Sequence, residues 1–168
     1  RTGAKDIFFG GNTIQMVKSK IDCPLLCIPK QMDYQPISQM AYITSYKHTL
    51  GKDTLAMVKS ITKAHKAALQ VIHISNDDTI DSSQEENKAY LNQYFEDTQL
   101  SFHSIPFEKS KAKTIAKFTK THKIDLISMC YYPHYFLDKL CFLKITLRSH
   151  CYVFHFYNSW SLKMRKLL

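Results

Sequence analysis

The chain has 168 residues, a formal charge of +9, 45% hydrophobic and 22% charged residues. That is the balance of a soluble globular domain with one sizeable core. No stretch approaches the roughly 20 consecutive apolar residues of a membrane span, and the segment after Arg1 is no signal peptide. The absence of Met at position 1 reads as a cut, with further chain expected upstream.

The positive charge admits nucleic acid, acidic membrane or phosphate-bearing ligands. Most lysines, however, are spread along helical faces, as in Lys111, Lys113, Lys117 and Lys120, which is the pattern of a solvated face. Nucleic acid and membrane are therefore not expected partners. The five cysteines show no paired framework. Cys27, Cys130 and Cys151 sit in apolar, strand-like runs, as free thiols in a reducing, cytoplasmic compartment would.

In chain order, Asn12 is placed to cap a helix with Ile14, Met16 and Val17 inward, followed by a short apolar strand, Leu25–Ile28, between Pro24 and Pro29. Residues 30–37 are polar and proline-bounded and read as a linker. A strand follows at Met40–Thr44. Asp53 or Thr54 can cap a helix running to about Ala67, with Leu55, Val58, Ile61 and Ala64 on one face. Leu69–Ile74 is a continuous apolar run, as expected of a strand buried on both faces of a parallel sheet. A polar loop, Asn76–Gln84, precedes a helix over Glu85–Phe95 with Tyr90, Leu91, Tyr94 and Phe95 inward. Strand Leu100–Ile105 closes at Pro106, helix Lys109–His122 follows, and Ile124–Met129 is a further apolar strand. A short helical pattern at Leu137–Leu147 leads to a last strand, Tyr152–Phe156. This alternation predicts a three-layer, doubly wound, mainly parallel five-stranded α/β sheet with right-handed crossovers. Ligands in such sheets bind beyond the carboxyl ends of strands where the strand order reverses, here after Thr44 and after Met129.

An internal repeat is also visible. Asp-Ile-Phe-Phe, thirteen residues (10–22), Cys23 and a strand are echoed by Asp-Lys-Leu-Cys-Phe, only eight residues (143–150), Cys151 and a strand. The second copy is short by more than one helical turn.

These pieces resemble the universal stress protein family, whose last loop reads Gly-x-x-Gly, nine residues, Gly-Ser or Gly-Thr, a helix and a Cys-Pro-apolar strand. Residues 1–29 fit the end of one such domain, with Gly10 at the third glycine and Gly11 where a hydroxyl residue is usual. Residues 38–157 resemble a complete second domain, through MAYITSYKH, HKAALQVIHI and KTHKIDLISMC. The resemblance implies the C-terminal part of a tandem protein with a basic tail, 158–168. Its adenine nucleotide (ATP or another) would be cradled by glycines and a helix N-terminus.

That equipment is intact only in part. Gly10, Gly11, Asn12 and Thr13 form the better half-site. In the second unit the degenerate site is Thr44, Ser45, Met129 and Cys130, and the counterpart of Gly10-Gly11 falls in the deleted region around Leu143. Ser45 stands where the family carries an acid, and Cys130-Tyr131-Tyr132-Pro133 replaces the glycine loop. Gly51 is the only glycine after Gly11. Tyr131, Tyr132, Tyr135 and Phe136 could stack a base or nucleotide, but filling the emptied pocket or forming a contact surface is the favoured reading.

The cysteines and His134, His150 and His155 lack the paired spacing of a zinc site, so no metal is expected. His73 reads as a satisfied core or rim histidine. No nucleophile elbow or carboxylate pair is visible, so catalysis is not expected. The resemblance further implies that the last strands of sister domains, or of two copies, pair antiparallel, matching Leu25–Ile28 with Tyr152–Phe156. The resulting reading is a stress-responsive binding and regulatory module. A weak nucleotide hydrolase and a basic nucleic-acid-associated protein are the alternatives.

Overall fold

In a computed structural model, the described residues are 25–28, 34–48, 51–77, 79–106, 111–131 and 152–157. Six strands and three helices occupy them: β1 (Leu25–Cys27), β2 (Gln39–Thr44), α1 (Lys52–His65), β3 (Ala68–Ile74), α2 (Ser82–Tyr94), β4 (Leu100–Ile105), α3 (Lys111–Thr121), β5 (Leu126–Tyr131) and β6 (Tyr152–Tyr157). The sheet order is β1-β6-β5-β2-β3-β4. Five strands, β6 to β4, run parallel, and β1 pairs antiparallel with β6 through Leu25↔His155, Leu26↔Phe154 and Cys27↔Val153. The expected helices at 12–22 and 137–147, the Gly10–Thr13 turn, and the tail lie outside the described residues.

β2 and β3 carry few charged or polar residues because both their faces are covered. Met40, Tyr42, Leu69, Val71 and Leu126 share one face and cluster with Leu55 and Val58 of α1 and with Leu91 and Phe95 at the end of α2. The alternate positions, Ala41, Ile43, Ile72, Ile127 and Met129, are buried as well. On that second face, in register with Ile72, His103 meets the ring of Phe118 from α3 at 5.0 Å. The chain moves from β2 to β4 in one direction and then crosses back to β5. Right-handed crossovers accordingly place α1 and α2 on one side and α3 on the other.

Several boundaries differ from the sequence expectation. α1 begins at Lys52 off Gly51, which offers no side-chain cap, so neither Asp53 nor Thr54 is the N-cap. Ala64 is exposed, and Thr62 is buried in its place with its hydroxyl donating to Lys59 O at 2.9 Å. α2 starts three residues before Glu85 because Asp81 and Gln84 form a capping box, which converts part of the expected loop into the first helical turn. Tyr90 is 39% exposed rather than inward. Within the expected linker, Ile37 is buried and its N–H donates to His65 Nδ1 at 3.3 Å.

One carboxylate ties the start of β2 to the entry of β5. Asp125 Oδ2 accepts from Ser38 N at 2.8 Å and Gln39 N at 2.9 Å, while Asp125 N donates to Gln39 O. Beyond the end of α2, Asp97 accepts from Lys59 Nζ at 2.9 Å and Lys63 Nζ at 2.7 Å. Those two bonds hold its carboxyl down at about 2.

Candidate functional site

β2 and β5 are neighbours, but the next strands lie on opposite sides, β3 beyond β2 and β6 beyond β5. The crevice of a doubly wound sheet opens at such a reversal. The structure brings Thr44, Ser45, Met129 and Cys130 to this one end, since Ile43 pairs with Met129 and the next residues follow in both strands. Met129 is buried. Gly10, Gly11, Asn12 and Thr13 lie outside the described residues.

The loop after β2 satisfies itself. Thr44 Oγ1 accepts from Tyr46 N at 3.0 Å and Ser45 Oγ from Lys47 N at 3.4 Å. Two side chains of α2 reach over to it: Gln84 Nε2 donates to Ser45 O at 2.7 Å and Asn87 Nδ2 to Tyr46 O at 2.6 Å. Tyr46 adopts φ 58°, a left-handed conformation uncommon for a bulky residue. That turn drives its ring down into the core, where it is 3% exposed and stacks on His73 at 5.0 Å and 26°. Burial, with a smaller push from the charge of Glu85, holds the phenol well above its ordinary range.

His73 is buried too, and its Nδ1 lies 3.2 Å from Thr44 O, so that nitrogen carries the proton. Burial lowers its pKa; the bond to Thr44 raises it, and Lys111, Lys47 and Lys88 lower it further. Lys111 is itself held below the ordinary lysine range by burial and by Lys47. The carboxyl end of β2 and β3 therefore gathers Lys47, Lys88 and Lys111 around His73, with Glu85 beside Tyr46. His73 is the satisfied core histidine expected from the sequence. Tyr46 was not marked by periodicity, because it lies past the end of the strand, and only its backbone angle sends it inward.

Among the described residues no group of three or more His, Cys, Asp or Glu side chains is placed to hold a metal, and no helix is long and apolar enough to cross a membrane.

No family model and no curated protein matches the chain. Solved structures do. A universal stress protein from Archaeoglobus fulgidus DSM 4304 aligns at 14% identity and TM-score 0.59, over 81% of this chain and 50% of that one. A universal stress protein in complex with cAMP aligns at 12% and 0.54, over 74% and 100%. A universal stress protein from Archaeoglobus fulgidus in complex with dAMP aligns at 11% and 0.53, over 73% and 98%. The fold is that of the universal stress proteins. The chain spans half the length of the first of these structures and nearly all of the nucleotide complexes. Within this fold the crevice end carries Ser45, whose backbone carbonyl and hydroxyl are both engaged locally, and Tyr46, whose ring closes the space over β3.

Proposed function

We propose that the chain is a binding and regulatory module of the universal stress type, without catalytic activity, in which residues 38–157 have given up the nucleotide site and serve pairing. The burial of Tyr46 on His73 carries this reading. A nucleoside entering over the ends of β2 and β3 would have to displace a ring that is already packed, and a loop whose carbonyls α2 has already engaged. The loss of every glycine after Gly51 supports it, because a phosphate cradle needs backbone N–H groups that side chains do not screen. In this reading an adenine nucleotide, as in the cAMP and dAMP complexes of the two neighbours, is held by Gly10, Gly11, Asn12 and Thr13. β1 is the closing strand of a preceding sister domain, and its antiparallel ladder with β6 is the pairing surface.

Calorimetric titration with ATP and AMP tests the proposal. This chain alone should show no saturable binding below about 1 mM, a limit set by the few contacts that remain available. Saturation in the micromolar range by this chain would overturn it.

A further inference from the structure

On the far side of the sheet from the Tyr46 crevice's helices, a cleft of about 610 Å³ opens between the edge strand β4 and helix α3. Its volume falls within the range of small-molecule sites. Among the described residues that line it none is acidic. Lys113 and Lys117, one turn apart, stand on the α3 wall with the hydroxyl residues Thr114 and Thr121, and residues 102–106 form the opposite wall. β4 is the last strand of the sheet, paired through β3 only.

Its floor is a cluster of three rings. His122 lies flat on Phe118 (3.8 Å between centroids, 15°), and His103 stands edge-on to both, at 5.0 Å and 5.4 Å. The orientation of His103 is fixed through the sheet: Gln70 donates from Nε2 to Gln39 Oε1 at 3.0 Å, which turns Gln70 Oε1 toward His103 Nε2 at 2.7 Å. His103 therefore carries its proton on Nε2. His122 is anchored through Nδ1 on Phe118 O at 3.2 Å and carries its proton there. Burial, and to a smaller extent the charge of His122, lower the His103 pKa, and its neutral ring is left with Nδ1 unprotonated. Phe118 is buried while His122 is exposed, so the stack ends in an accessible ring face.

We propose that this cleft binds a small anion built on a flat ring, a phosphate- or carboxylate-bearing aromatic compound no larger than a mononucleotide. The acid group meets Lys113 and Lys117, and the ring extends the His122–Phe118 stack. Two features separate it from the crevice at the β2 and β5 ends: it lies at the sheet edge, and it uses α3 side chains that the nucleotide reading does not use. Its failure leaves the proposed function untouched, and because a mononucleotide could also enter this cleft, the AMP titration is repeated with K113Q/K117Q, where any binding that remains belongs to the crevice.

Phenyl phosphate is the probe, titrated into the 15N-labelled chain and followed through the amide signals of residues 113–122 and the ring protons of His103 and His122. The expected result is saturable shifts confined to this region, with Kd of about 1 mM, ordinary for a ligand of this size. K113Q/K117Q should weaken binding about tenfold or more, and H122A several-fold. Both replace exposed side chains, and an unchanged amide spectrum elsewhere confirms that the fold is kept. Inorganic phosphate and benzyl alcohol should each bind at least about tenfold more weakly than phenyl phosphate. Absence of saturation up to 10-fold above that Kd overturns the proposal. So does phosphate or benzyl alcohol binding as well as phenyl phosphate, or affinity unchanged in K113Q/K117Q.

Discussion

Replacing Tyr46 tests the packing at the crevice most directly. Tyr46→Ala removes a ring that is 3% exposed and stacked on His73. Truncating a buried aromatic costs about 3–5 kcal/mol, the transfer and cavity terms together. The same backbone site holds φ at 58°, where a Cβ is penalised by about 1–2 kcal/mol and glycine is not. Tyr46→Gly should therefore be more stable than Tyr46→Ala by about 1 kcal/mol, despite the greater entropy glycine loses on folding. That order inverts the usual ranking of the two residues and isolates the backbone term. Urea unfolding of the three proteins measures both differences. Because burial is the largest cause of the low His73 pKa, either variant should also move the His73 titration up toward the ordinary value near 6.5, read from its ring-proton shifts. A loss below about 1 kcal/mol for Tyr46→Ala, a glycine variant less stable than the alanine variant, or an unmoved His73 titration would each refute the reasoning.

Further outcomes follow from other contacts. Ser128 is fully buried, and its hydroxyl has no hydrogen-bond partner among the described residues. Ser128→Ala should leave stability unchanged or raise it by up to about 1 kcal/mol, and a clear drop in the unfolding midpoint would mean the hydroxyl is engaged. Asp125→Ala removes the shared acceptor of the Ser38 and Gln39 N–H groups and should cost about 2 kcal/mol, discounted for partial exposure. Hydrogen exchange should quicken first at those two amides.

Acid should act in two separate windows. His73 and His103 have lowered folded-state values, so the unfolded chain takes up their protons first; stability is full above about pH 6.5 and falls as pH drops through that value. Asp97, held down at about 2, keeps its contribution until pH falls below its unfolded value near 4 and loses it toward 2. An unfolding midpoint flat between pH 7.5 and 5.5 would contradict the first window. Deleting residues 1–37 should expose the β6 edge and drive self-association, read by light scattering, because an open strand edge recruits another. A deletion variant that stays monomeric and stable would argue against β6 as a pairing surface.

Much of this molecule was legible in its sequence. The apolar runs at 69–74 and 124–129 announce strands covered on both faces, and their alternation with amphipathic helices leaves a parallel sheet as the simple solution. Helix starts were less legible. The Asp81–Gln84 capping box shows itself only once Gln84 folds back onto Asp81, and a stretch rich in Asp and Ser reads equally well as a loop. Residues such as Thr44, Ser45, Met129 and Cys130 could be assigned to one end of the sheet from topology alone, because strand order and direction follow from hydrophobic pattern and crossover handedness.

Which groups then touch was decided only by tertiary structure. No spacing rule places Tyr46 on His73, Gln84 and Asn87 on the carbonyls of residues 45 and 46, or Gln70 between Gln39 and His103. These are contacts between elements far apart in the chain, set by side-chain packing and one left-handed residue. Sequence pattern determines the period and order of the elements, since burial is a local, repeating demand. The chemistry at the ends and edges of the sheet depends on a few non-repeating polar contacts, and only the folded arrangement selects among them.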